Sequence, residues 1–335
     1  MRSERFWRIA PFIALVVGLG VTAWLVAAAS LPAVLEGFVK VGWGALAVIA
    51  VRATTIAING VAWALLLWRL CKVPTAVFVL LRWVRDAIDV LLPVAGIGGA
   101  LIAARELTFW RVGGALALAS VLADVLLQAI AQVVFALTGA VLLAGLVGPN
   151  VLLFGVAAGL ALTAAGLIGF YALQSHSGAA VRLVSRAFAV LSPPLAARAQ
   201  RAGPRFDAAV EQIWRGRRGK LVAVWLLHML AWGFGTLEVF ITLRFLGAPV
   251  TWAQAVVIEG LGTSISIAAM FIPGSWGAQE GGYILLGQLF GVPVTNALTL
   301  SLVKRIPDLV LGLPGLLAWY VLETRRLVSR RTPKG

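Results

Sequence analysis

The chain has 335 residues, of which 61% are hydrophobic and 12% charged, with a mean hydropathy of +0.97. A soluble domain is about half apolar and a quarter charged, so this composition excludes a water-soluble fold and indicates a polytopic membrane protein. The net charge of +15 sits on arginines that flank apolar runs, so it is assigned to orientation and anionic headgroups, not to nucleic acid.

The first element is an apolar run from Ile9 to Ala29, 21 residues long, behind Arg2, Arg5 and Arg8. A signal-peptide core is about 7–15 residues and a bilayer needs about 20, so an uncleaved span is preferred to a leader ending at Ala27-Ala28-Ala29-Ser30. Further full spans are expected at 41–68, 112–138, 151–173, 221–243 and 295–322. The single Cys71 excludes an internal disulfide and reads as an idle thiol at the cytoplasmic side.

Two segments, 74–104 and 252–290, do not read as simple spans. Asp89 to Glu106 (DVLLPVAGIGGALIAARE) and Ala269 to Gly287 (AMFIPGSWGAQEGGYILLG) share one pattern. In each, an apolar run meets a proline (Pro93, Pro273), crosses a glycine-rich break (Gly96, Gly98, Gly99; Gly274, Gly277, Gly281, Gly282) and turns apolar again. Proline and glycine together end a helix and free backbone groups that hydrocarbon cannot satisfy. A matched pair of such breaks marks a transporter-like site.

Charge sets the topology. Arg69 and Lys72 precede the first broken segment and Arg105 and Arg111 follow it, so it is expected to dip in from the cytoplasm and return. Residues 174–220 carry nine basic residues against Asp207 and Glu211 and are placed in the cytoplasm, with both termini. The second broken segment then enters from outside, or crosses fully twice; the C-terminus is the same either way. The architecture expected is all-α: about six full transmembrane helices plus two re-entrant hairpins in an inverted repeat. It forms a single membrane domain over 1–335, with repeat one at 40–138, a basic cytoplasmic loop at 174–220 and repeat two at 220–323. Within that loop, Ala179 to Leu191 reads as an amphipathic surface helix.

Charged residues fall inside the spans, and each costs about 2.5–3.5 kcal/mol at the bilayer centre, so they are expected to face inward and pair. Arg82–Asp86, Arg85–Asp89 and Lys304–Asp308 are i,i+4 pairs. Arg52 is expected to meet Asp124 or Glu238. Glu280 falls in the first turn of a returning half-helix, whose free N–H groups suit an anion such as a lipid phosphate. Arg305, without an i,i+4 acid, is the residue expected to receive that phosphate. His228 and Glu238 lie ten residues apart on one span; His176 says little. There is no H-E-x-x-H and no P-loop, so neither metal, cofactor nor ATP-driven transport by this chain is expected.

The run Phe271-Ile-Pro-Gly-Ser-Trp-Gly-Ala-Gln-Glu-Gly-Gly282, then Gly291-Val292 and Lys304-Arg305, resembles a signature of the flippase-like family built on the transmembrane region of lysylphosphatidylglycerol synthases. Arg82-Trp-Val-Arg85-Asp86, Leu92-Pro93, Gly98-Gly99, Ala104-Arg105, Asp124, Gln132, Glu259 and Pro307-Asp308 are similar to its hopanoid-biosynthesis-associated branch. The resemblance covers roughly 40–323. It implies a bacterial inner-membrane protein that moves or exports a polar-headed lipid, hopanoid or anionic phospholipid. The site residues it implies are Pro273, Gly274, Gly277, Glu280 and Arg305, with Arg85, Pro93, Gly98 and Asp124 from the first half. Trp276 departs from the small or aliphatic residue common at that place. The aminoacyl-transferase activity of the named synthases is not expected, because the chain ends thirteen residues after Leu322. Two further hypotheses stand beside translocation: a subunit that presents lipid to a partner enzyme of lipid biosynthesis, and an intramembrane enzyme using Glu238 and His228.

Overall fold

In a computed structural model of the chain, the residues described are 2–92, 98–148, 151–175, 193–215, 218–269, 272 and 275–331. Among them the secondary structure is helical throughout. The first six helices are α1 (Arg2–Ala28), α2 (Leu31–Val41), α3 (Gly44–Leu66), α4 (Thr75–Leu91), α5 (Gly98–Leu107) and α6 (Gly114–Val147). The next six are α7 (Val151–Ser175), α8 (Pro193–Trp214), α9 (Arg218–Phe245), α10 (Trp252–Ala268), α11 (Ala278–Gln288) and α12 (Val294–Arg331).

The helix ends follow local chemistry. Gly148, Gly247 and Gly291 hold positive φ just beyond α6, α9 and α11, the conformation that closes a helix most cheaply. Thr251 starts α10 with a reciprocal cap: its hydroxyl accepts the Gln254 N–H at 3.3 Å, and the Gln254 side chain accepts the Thr251 N–H at 2.8 Å.

Among the described residues, Gly44–Leu66, Gly114–Val147, Arg218–Phe245 and Val294–Arg326 are each long and apolar enough to cross a bilayer. The helices α1 and α7 lie over two of the other expected spans, 9–29 and 151–173. Between Val16–Ala28 and α2 the chain bends by 91° at Ser30, whose φ of 72 cannot continue a helix. The 17 residues of α4 reach about 25 Å, whereas the 10 of α5 and 11 of α11 reach about 15–17 Å, half a bilayer. In both broken segments the two helices pack on each other.

The contacts between helices have an exchange pattern. The most extensive is α3 against α9. The pairs α3–α4, α4–α5, α5–α6, α4–α12 and α3–α12 are matched by α9–α10, α10–α11, α11–α12, α10–α6 and α9–α6. Each hairpin therefore packs against the last long helix of the other half. One apolar core gathers Trp63, Leu66, Phe78, Leu81 and Leu107, and a second gathers Val48, Leu243, Ile258, Tyr283 and Leu286. Val16, Trp24, Val39, Leu162, Ile168 and Leu317 point outward, as side chains facing lipid tails do.

Candidate functional site

Two ionic networks lie between the cores. The first centres on Asp124 of α6, which is fully buried. Its carboxylate accepts from Arg85 at 3.0 Å and Arg82 at 3.5 Å, and His228 of α9 approaches at 3.3 Å. The other His228 nitrogen meets Asn59 Oδ1 at 2.8 Å. Arg82 also reaches Asp86 at 2.9 Å and donates to Gln128 at 3.1 Å, and Arg85 reaches Asp89 at 3.8 Å. Both i,i+4 pairs of α4 are thus present, but each arginine is shared with another helix. Asp89 in turn accepts the Gly99 N–H at 2.9 Å, tying the start of α5 to the end of α4. A Cβ at Gly99 would come within 2.4 Å of the Arg85 carbonyl oxygen, so this approach requires glycine. Gly98 is the first residue of α5; Pro93 and Gly96 lie outside the described residues.

The second network has two branches. Lys304 of α12 donates to Glu238 at 2.8 Å and Glu259 at 2.9 Å. Tyr283 adds a donor to Glu259 at 3.0 Å, and Arg52 joins Glu238 at 2.8 Å. In the other branch Glu280 stands in the first turn of α11, as its position after the break predicts, and accepts the Gly277 N–H at 2.7 Å. Gly277 has φ of 82, and a Cβ there would meet Val21 of α1 at 2.8 Å. Arg305 points both Nε and Nη2 at Glu280 Oε1, at 2.9 and 2.8 Å, and its guanidinium lies 3.7 Å from the ring centroid of Trp276. Ser301 and Thr22 complete the carboxylate's shell at 3.3 and 3.4 Å.

Three expectations are corrected by this geometry. Lys304 joins Glu238 and Glu259, while Asp308 instead lies 4.0 Å from Arg52. The anion seat at the start of α11 is filled by the chain's own Glu280, and Arg305 is turned onto that carboxylate. His228 and Glu238 belong to different networks, because ten residues is 2.8 turns and leaves them about 80° apart around α9. Pro273, Gly274, His176 and the stretch 179–191 lie outside the described residues.

A cavity of about 230 Å³ opens between α3, α4, α6, α9 and α12. Its polar wall is Arg52, Thr55, Asn59, Arg82, Asp86, Asp89, Gln128 and Asp308, with Trp83 and Trp232 among the apolar lining. Arg52, Asp86, Asp89 and Asp308 keep 20–31% of their side-chain surface open, so they can meet a ligand without leaving their partners. Of the expected site residues, Arg85 and Asp124 stand directly behind this wall, while Glu280 and Arg305 form a separate buried centre. Arg52, Asp86, Asp89 and Asp308 are charged positions that sequence reasoning placed in the membrane but not in the site; their charge at span depth was the available signal.

Comparison with known proteins gives one result. The family model for the lysylphosphatidylglycerol synthase TM region matches residues 12–315. Neither the curated proteins nor the solved structures give a match.

Proposed function

Since the chain belongs to the family of the lysylphosphatidylglycerol synthase TM region, and so is a membrane protein related to lipid metabolism, we propose that it moves a polar-headed lipid between the leaflets of a bacterial inner membrane. The observation that carries this reading is the charged cavity at mid-helix depth, walled by helices of both halves. Charge at that depth is costly and persists where it serves a polar path. The head would pass through the cavity while the tails stay in lipid, and the two halves would rock against each other as inverted repeats do. The exchange pattern of helix contacts supports that arrangement, with repeat one built from α3–α6 and repeat two from α9–α12.

The cavity wall holds three carboxylates (Asp86, Asp89, Asp308) against two guanidinium groups (Arg52, Arg82). That balance favours a head that is an uncharged polyol or carries a positive group over a purely anionic one. A hopanoid with a polar side chain fits this reading, in keeping with the resemblance to a hopanoid-biosynthesis-associated branch.

The test is leaflet exchange in proteoliposomes containing the purified protein and trace radiolabelled lipid: zwitterionic, anionic or hopanoid, each with and without a proton gradient. Exchange above protein-free vesicles is expected for at least the zwitterionic or hopanoid lipid. No exchange for any lipid would turn the reading to the alternative, a membrane subunit that presents lipid to a partner enzyme.

A further inference from the structure

The helix α12 carries two prolines inside its length, Pro307 and Pro314. Each removes a backbone hydrogen bond and crowds the preceding turn, so the helix can bend there. Before the prolines, α12 is anchored by Lys304 and Arg305 to buried carboxylates of α9, α10 and α11. Beyond Pro314, the polar ties of α12 to other helices among the described residues come from Glu323 and Arg326. Both reach the end of the first hairpin. Glu323 accepts from Arg105 at 2.7 Å. Arg326 donates to the Arg105 carbonyl at 2.8 Å and to the Thr108 hydroxyl at 3.0 Å, and lies 3.5 Å from Glu106, which is itself buried.

The matching seam, between α10–α11 and α6, is built otherwise. It is tied by a neutral bond, Gln132 Nε2 to Ser264 Oγ at 3.2 Å. An offset of 180 residues carries Glu323 and Arg326 onto Leu143 and Leu146, and Arg105 and Glu106 onto Leu285 and Leu286. One of two equivalent seams thus has an ionic fastening on the far side of a hinge.

We propose that Arg105, Glu106, Glu323 and Arg326 form an ionic latch that holds the cavity closed at the membrane face where α12 ends. The inference rests on the reading of the cavity as a lipid path that opens to each face in turn. The latch makes those two openings unequal: the molecule rests closed at the latched face, and bending α12 about Pro307 and Pro314 while the four charges part opens it.

The test uses one reporter cysteine, Thr55→Cys in the cavity wall, with the native thiol removed by Cys71→Ala. A charged, membrane-impermeant thiol reagent is added to oriented sealed vesicles from each face separately. Labelling from the face bearing the end of α12 should be slow, and Arg326→Gln or Arg105→Gln should speed it about fivefold or more, the least expected of a conformational coupling. The exchanged pair Arg105→Glu with Glu323→Arg should restore the slow rate, and Arg215→Gln, in an exposed pair with Glu211, should leave it unchanged. An unchanged rate in folded Arg105→Gln protein would overturn the latch, as would equal acceleration from both faces, which marks general loosening. Arg105 is half-exposed, so that variant carries the test should Arg326→Gln not fold. Labelling requires no lipid movement: a latch-dependent rate in a protein that exchanges no lipid would defeat the translocase reading alone.

Discussion

Replacing Arg305 by glutamine strands Glu280, and the cost can be worked from the geometry. The carboxylate is fully buried and receives two guanidinium nitrogens at 2.8 and 2.9 Å. At an effective dielectric of about 20 the gross attraction is roughly 4–6 kcal/mol. Much of that offsets desolvation, yet removing one partner leaves an uncompensated charge and costs about 3–5 kcal/mol. Glu280→Gln removes the carboxylate from beside the buried guanidinium instead and should cost a similar amount. The double variant leaves two neutral amides and should cost about 1–2 kcal/mol, in the range of lost hydrogen bonds. The measurement is thermal unfolding in detergent by tryptophan fluorescence, where a domain of this size shifts by about 2 °C per kcal/mol. Each single variant should melt roughly 6–10 °C lower and the double variant about 2–4 °C lower. If the double variant melts at the sum of the two single drops, the residues do not stabilise each other. Unchanged melting with lost lipid exchange would show that the pair serves the substrate and not the fold.

Asp308→Asn touches a carboxylate that is partly open to the cavity and 4.0 Å from its nearest cation; it should change lipid exchange several-fold while moving the melting temperature by less than about 2 °C. Gly99→Leu should abolish the monodisperse peak in gel filtration, since its Cβ meets the Arg85 backbone, whereas Gly114→Leu, with open space around it, should purify normally. Trp276→Ala removes the stacked guanidinium contact, worth about 1–2 kcal/mol, and should lower the melting temperature by about 2–4 °C. Single cysteines at Arg205 and Arg325 should react with an impermeant reagent from one face of the membrane and a cysteine at Ala248 from the other; all three reacting from one face would break the inverted topology.

The breaks, the half-helices and the place of Glu280 could be read from the sequence because each depends on chemistry within a few residues. Proline and glycine clustered within a few residues end a helix locally, and a carboxylate three residues after a break reaches back to its N–H groups. Partners across helices could not be read this way. The i,i+4 rule joined Lys304 to Asp308, but a lysine in hydrocarbon gains more from two buried carboxylates of α9 and α10 than from one on its own helix. Hydropathy alone could not show that Thr22 on the first helix reaches Glu280, nor that a positive φ at Ser30 turns the chain by 91°. The cavity escaped for a related reason: its wall draws on five helices, and no sequence interval joins Arg52, Gln128 and Asp308.

The pairing of Arg52 with Glu238 spans 186 residues, and this has a consequence for how the protein is made. Arg52 is synthesised long before Glu238, and Glu259 and Glu280 before Lys304 and Arg305. A chain that enters the bilayer helix by helix would leave each of these charges without its partner until a much later segment arrives. At about 5–20 residues per second, Arg52 waits on the order of ten seconds or more. On that route the early helices would have to stay at a wet interface, or be sheltered by insertion machinery, until α9 and α12 emerge. A nascent chain stalled before α9 should be an early target for membrane quality control.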